Sequence, residues 1–194
     1  MKTKRKGKQT PWNKGKQVGR KLPLNLKEIR AIRARLKSAP RDLALFNLAI
    51  DSSLPAADLV QLRVRHIAKG RHLLSRATVR QLKAKRAVQF EMSDETRHAV
   101  AAWIAHKKLK PNQYLFPSRL SESPHLSIRQ YARALASWVS SIGLDPSAYG
   151  TNSTRRTKAT LLYRRTKDLQ AAQSLLGHTK LSSTALFLGI DGDV

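Results

Sequence analysis

Cysteine is absent from this sequence. That excludes both a disulfide framework and a thiolate metal site. Acids are scarce as well, with 12 Asp and Glu among 194 residues. No apolar run approaches the roughly 18 residues that a membrane span needs. The basic N-terminus is not followed by the apolar core of a secretory signal. A cytoplasmic chain that meets no membrane is the expectation.

What the chain has in excess is positive charge. Its 38 Lys and Arg give a formal net charge of +26. A field of that size attracts polyanions, so nucleic acid is the default partner, and a merely soluble or ribosome-associated basic protein is the bland alternative. The length suits one domain with a real core plus a tail, and a hydrophobic fraction of 41% is compatible with a globular fold.

Residues 1–22 are dominated by Lys, Gly, Gln and Asn and hold too little apolar surface to offset their ordering entropy. They read as a basic disordered arm, with residues 23–194 as the domain. Lys14, Lys16, Arg20 and Lys21 are its candidate phosphate contacts. Trp12, beside Pro11, suits either stacking on a base or packing on the domain.

Beyond the arm the periodicity is mainly helical. Leu26, Ile29, Ile32 and Leu36 mark a first helix over 25–37, broken at Ser38-Ala39-Pro40. A second helix over 41–51 is apolar on too many sides for a surface helix. A third begins near Pro55 with Ser53 as its cap. Strand character at 64–67, 76–81 and 87–92 predicts a small antiparallel sheet of three strands, with turns at Gly70 and at 83–85. Ser93 caps a helix running to Lys107. Ser127 caps an amphipathic one that carries Tyr131, Leu135 and Trp138 and closes at Gly143. Ser153 caps a basic helix, Asp168 opens another that ends at Gly177, and a short helix carries Phe187.

Three pieces of residues 149–191 bear on chemistry: Asn152-Ser153-Thr154-Arg155-Arg156, then Leu176-Gly177-His178-Thr179-Lys180, then Phe187. Singly, His178 reads as a turn residue and Phe187 as a core residue. Together, a guanidinium, an imidazole and an aromatic ring at those intervals can converge on one phosphate. The stretch resembles the C-terminal half of the tyrosine recombinase (phage integrase) catalytic domain. That family has a His-x-x-Arg pair, then Leu-Gly-His, then a nucleophilic Tyr about nine residues on. Arg155 and His178 match. Asn152 stands in the position of the first His, and Phe187 stands in that of the nucleophile.

The resemblance extends over residues 22–191. Ala49-Ile50-Asp51-Ser52-Ser53-Leu54-Pro55 resembles the motif of the family's first catalytic Arg, with Pro55 in the place of that Arg. Lys83 lies where the family puts a hairpin Lys, though Ala84 and Lys85 fill the space of its usual turn Gly. Tyr114-Leu115-Phe116-Pro117 resembles the family's Leu-Phe-Pro-Ser stretch. The fold implied is the recombinase catalytic domain, mainly α with the small antiparallel sheet. In the family a Tyr hydroxyl attacks a DNA phosphodiester, two Arg stabilise the phosphate charge and a Lys protonates the leaving oxygen, with no metal or nucleotide cofactor.

Carried over, the resemblance implies that Lys83, Arg155 and His178 are retained site positions and that Pro55, Asn152 and Phe187 are substituted ones. Lys158, Arg164, Arg165, Lys180 and Arg156 join the arm as candidate DNA contacts, Arg156 mainly as a backbone or structural contact. The expectation is an integrase-like protein that binds double-stranded DNA and is inactive in cleavage. Its protein partners would be a second copy of itself or an active relative on the same DNA. An active recombinase with a relocated nucleophile, Tyr149 or Tyr163, and a non-enzymatic RNA-binding protein are the competing readings.

Overall fold

A computed structural model describes residues 20–70, 72–119 and 123–190. Helix α1 (Leu26–Arg35) starts on a reciprocal cap, in which the Glu28 amide donates to Asn25 Oδ1 at 2.9 Å and the Asn25 amide donates to Glu28 at 2.8 Å. Helix α2 (Pro40–Ser52) follows the proline break. Its continuous apolar run is explained by its central place, with α4 (Asp94–Lys107) and α6 (Thr151–Thr166) packed on it. Phe46 is fully buried and meets the edge of Trp138 at 5.6 Å between ring centres. Truncating such a ring costs about 3–5 kcal/mol.

Ser53 does not cap the next helix. It turns α2 off in the left-handed region at φ 50, and α3 (Ala56–Val60) begins behind Pro55 without a side-chain cap. The first of the three predicted strands is also replaced. Val64–His66 forms a 3-10 turn, because the Val64 and Arg65 amides donate to the Gln113 and Pro111 carbonyls at 3.1 and 2.9 Å and are drawn to that loop.

Pairing among the described residues is two antiparallel ladders, β1 (Ala68–Lys69) with β2 (His72–Leu73) and β3 (Arg76–Arg80) with β4 (Ala87–Glu91), and an isolated antiparallel bridge between Arg63 and Tyr114. In the longer one, Ala77 opposite Phe90 and Val79 opposite Val88 face the core, and their neighbours face solvent. That alternation is the period of a half-buried strand.

Ser93 and Ser127 cap α4 and α5 (Ile128–Ser140) as the sequence indicates, each accepting the amide three residues on. Asp51, buried near the end of α2, accepts from the Ser93 amide and hydroxyl at 2.8 Å each and from the Thr96 hydroxyl at 2.6 Å. One carboxylate thus fastens α2 to the start of α4.

The expected arm contains residues 1–19, which lie outside the described residues, and 20–22, which lie against the domain. The Leu22 amide donates to the Ala148 carbonyl at 2.9 Å, and Lys21 Nζ donates to the Ser147 carbonyl at 2.5 Å.

Candidate functional site

Helix α6 does not begin at Ser153. Gly150 is the first half-turn, and its amide donates to Ser153 Oγ at 3.0 Å, so Asn152 and Ser153 are already helical. The buried Tyr131 hydroxyl shares a hydrogen bond with Thr154 Oγ1 at 2.8 Å, which fixes this first turn on α5. Arg155 then projects, half-buried, toward the end of α7 (Leu169–Leu176), where Nη2 donates to the Leu176 carbonyl at 2.7 Å. Its Nε is buried without a hydrogen-bond partner. Burial lowers the pKa of this guanidinium, and the charge of Asp58 opposes that shift.

Asp168 caps α7 through a 2.9 Å bond from the Ala171 amide, and the helix closes on Gly177 at φ +66. Glycine is needed there twice over. The conformation is left-handed, and a Cβ would sit 2.8 Å from Val88 Cγ2 on β4. The turn is therefore wedged against the β3–β4 hairpin, and His178 leaves it in one direction. Its amide donates to the Gln173 carbonyl at 3.2 Å and its carbonyl accepts from Gln173 Nε2 at 3.1 Å. The ring Nδ1 is 3.1 Å from Thr184 Oγ1. Burial, then the charge of Arg155, lowers the His178 pKa, which favours the neutral imidazole.

Helix α8 (Leu181–Leu188) brings Phe187 back to this group. Its half-buried ring lies edge-on to His178 at 5.4 Å, with the Arg156 guanidinium 4.6 Å and that of Arg155 5.5 Å from its centre. So Arg155, His178 and Phe187 form one cluster, although 32 residues separate Arg155 from Phe187 in sequence.

The remaining candidates sit on α6, before α3 and on the hairpin turn. Asn152 is exposed one turn before Arg155 on α6. Pro55 precedes α3, and Asp58, three residues later, accepts the Leu82 amide at 2.8 Å. That bond ties the hairpin turn to α3. Lys83, next to Leu82, is exposed, and Lys85 supplies the left-handed residue, φ 55, that glycine would have provided.

Among the candidate DNA contacts, Lys14 and Lys16 lie outside the described residues. Arg164, Arg165, Lys180 and Arg20 are exposed, Arg20 running beside Gly189. Arg156 and Lys158 are turned inward instead. Arg156 is 7% exposed and donates to the Lys21 carbonyl. Lys158 Nζ donates to the Asp51 carbonyl at 2.7 Å and the Glu91 carbonyl at 3.2 Å, tying α2 to β4. Both use their charge on backbone carbonyls, because α6 is packed on several sides. Sequence reasoning passed over Asp58 and Thr184. An acid inside the apolar run Ala56-Ala57-Asp58-Leu59-Val60 was the available signal for the first; Thr184 had none.

The sequence profile described as the phage integrase family matches residues 23–190. The probable integrase/recombinase YoeC of Bacillus subtilis (strain 168) is 32% identical over 158 residues, covering 81% of this chain and 82% of YoeC. The crystal structure of XerA recombinase superposes with a TM-score of 0.72 at 19% identity, over 86% of this chain and 58% of XerA. XerH site-specific recombinase, bound to palindromic difH substrate in a post-cleavage complex, gives 0.70 at 19% identity, over 89% of this chain and 51% of XerH. The chain thus spans little more than half the length of those two structures. The fold is that of the tyrosine recombinase catalytic domain, as the motifs indicated.

Proposed function

Because this chain belongs to the phage integrase family, we propose that it binds duplex DNA as an integrase-like protein and does not cut it. One observation carries the second half of the reading. Nine residues after His178, where the family resemblance calls for a hydroxyl nucleophile, a phenyl ring packs against His178 and the two guanidinium groups. Phenylalanine has no oxygen to attack phosphorus, so no phosphotyrosyl link can form there. Pro55 adds a second loss. A missing preorganised charge donor costs about 10²–10³ in rate.

DNA as the partner is supported by the net charge of +26 and by XerH, whose structure holds its difH substrate. In this reading Arg155 and His178 grip a phosphate without turning it over, and Lys83 approaches it from the hairpin. The exposed Arg164, Arg165 and Lys180 extend the contact along the backbone, as does the basic arm. The protein would act in the cytoplasm on recombination sites, alone, as an oligomer or beside an active relative. Among the described residues no helix is long and apolar enough to cross a membrane.

The test is incubation with a nicked half-site duplex, followed by denaturing electrophoresis, with binding measured in parallel on duplex DNA and structured RNA. Salt-sensitive duplex binding without a denaturant-resistant adduct is expected. An adduct would overturn the inactive reading and direct attention to Tyr149 or Tyr163. Neither is well placed: Tyr149 packs on the core, and Tyr163 lies eight residues along α6 from Arg155, roughly 12 Å by helical rise. Preference for RNA would overturn the DNA reading.

A further inference from the structure

The start of α2 lies at the opposite end of that helix from Pro55. Thirteen residues of α helix separate Pro40 from Ser52, roughly 18 Å by helical rise, and Ser53 then leads directly to Pro55. At the far end is a cavity of about 460 Å³ between the start of α2, the end of α4 and residues 117–119. Arg41, Lys107, Arg119 and His106 line it, against a single acid, Asp42. That acid is already engaged, since Asp42 Oδ2 accepts from Trp138 Nε1 at 3.1 Å. Trp103 forms a fixed wall, its indole N–H donating to the Leu115 carbonyl at 2.8 Å. Lys107 and His106 offset the partial negative charge at the end of α4.

Two features of Arg41 stand apart from ordinary surface basicity. Its Nε is buried and has no hydrogen-bond partner. Its pKa is lowered by burial first and then by Arg119, with Asp42 opposing. Two guanidinium groups from separate elements therefore face one cavity, repel each other and leave a buried donor unused. No side chain caps α2, so the positive end of its dipole adds to the same field.

We infer that this cavity is a second anion site, selective for phosphate-type oxygens, in which Arg41 and Arg119 grip one group from two sides. An oxyanion between them removes the repulsion and suits the planar fork of arginine better than a halide does. The phosphate can belong to a nucleic-acid backbone passing along the domain or to a small phosphorylated molecule. The site does not depend on the proposed role of Arg155.

Titration calorimetry of the full chain with inorganic pyrophosphate tests it. Arg119→Gln should weaken binding by about tenfold, as expected when one charge-assisted hydrogen bond is removed, whereas Lys69→Gln, an equal change of charge on exposed β1, should alter it less than twofold. Equal effects of the two changes would overturn the site. Arg41→Gln should match Arg119→Gln. If it fails to fold by circular dichroism, the exposed Arg119 decides alone. The weakening by Arg119→Gln should persist in an Arg155→Ala background. Its disappearance there would merge the two sites and overturn the inference. The source follows from duplex DNA titrated against salt. A log–log slope smaller by about 0.9 in Arg119→Gln identifies a backbone phosphate. An unchanged slope with pyrophosphate binding weakened identifies a small phosphorylated ligand.

Discussion

Gly177→Ala tests whether the candidate site is built by wedging the end of α7 against the hairpin. Gly177 has φ +66, where a side chain costs about 1–2 kcal/mol. The added Cβ would stand 2.8 Å from Val88 Cγ2, with Gln81 Nε2 at 3.4 Å, so the hairpin or the turn must move. Overpacking of that kind costs about 1–3 kcal/mol. The reduced freedom of the unfolded chain returns about 0.4–1 kcal/mol. The net loss is about 3 kcal/mol, or roughly 6–12 °C in Tm for a domain of this size.

Gly143→Ala is the internal control, since its φ is +79 but nothing lies within 4 Å of its Cβ position. It should lose no more than about 1–2 kcal/mol, the conformational share alone. Thermal and urea unfolding of both variants, with duplex binding measured on each, give the comparison. Gly177→Ala should also weaken binding, because the carbonyl that holds Arg155 belongs to the adjacent Leu176. Equal stability losses in the two variants would refute the wedge.

The substituted positions make the cleavage prediction non-additive. Phe187→Tyr alone and Pro55→Arg alone should give no adduct, while Phe187→Tyr with Pro55→Arg and Asn152→His should give weak cleavage; a folded but inert triple variant would show Lys83 or His178 to be misplaced. Asp51→Ala should cost about 3 kcal/mol by chemical denaturation, since the Ser93 and Thr96 hydroxyls and the Ser93 amide lose their acceptor; a loss under about 1 kcal/mol would mean the network is dispensable. His178 and His66 both have lowered pKa values in the fold. The unfolded chain then takes up protons first as pH drops, so stability should fall below about pH 6.5, the ordinary histidine value. His178→Gln should flatten that decline in urea midpoints measured from pH 7.5 to 5, and an unaltered profile would refute it. Duplex affinity should fall linearly on log–log axes with salt, and deleting residues 1–19 should reduce the slope by about 0.9 for each phosphate the arm neutralises; an unaltered slope would remove the arm from the interface.

Most of the helices were legible in the sequence, and so was the positive charge behind the proposed nucleic-acid partner. Charge is additive, so a net +26 needs no coordinates to be read. Caps such as Ser93, Ser127 and Asp168 act on the amide three residues on, so local sequence was enough for them. Where two local rules competed, it was not. Ser53 and Ser153 both have capping side chains, yet one ends a helix and the other lies inside one. The β-prone run at 64–67 was captured by backbone groups of 111–113, nearly fifty residues on. Tertiary structure alone decided which cations of α6 face outward. The helix has basic or polar residues on nearly every side, so its pattern carries no direction, and contacts with Leu176, Lys21, Asp51 and Glu91 assigned Arg155, Arg156 and Lys158 their places. A contact between distant segments depends on how the intervening helices pack, and no local preference encodes it.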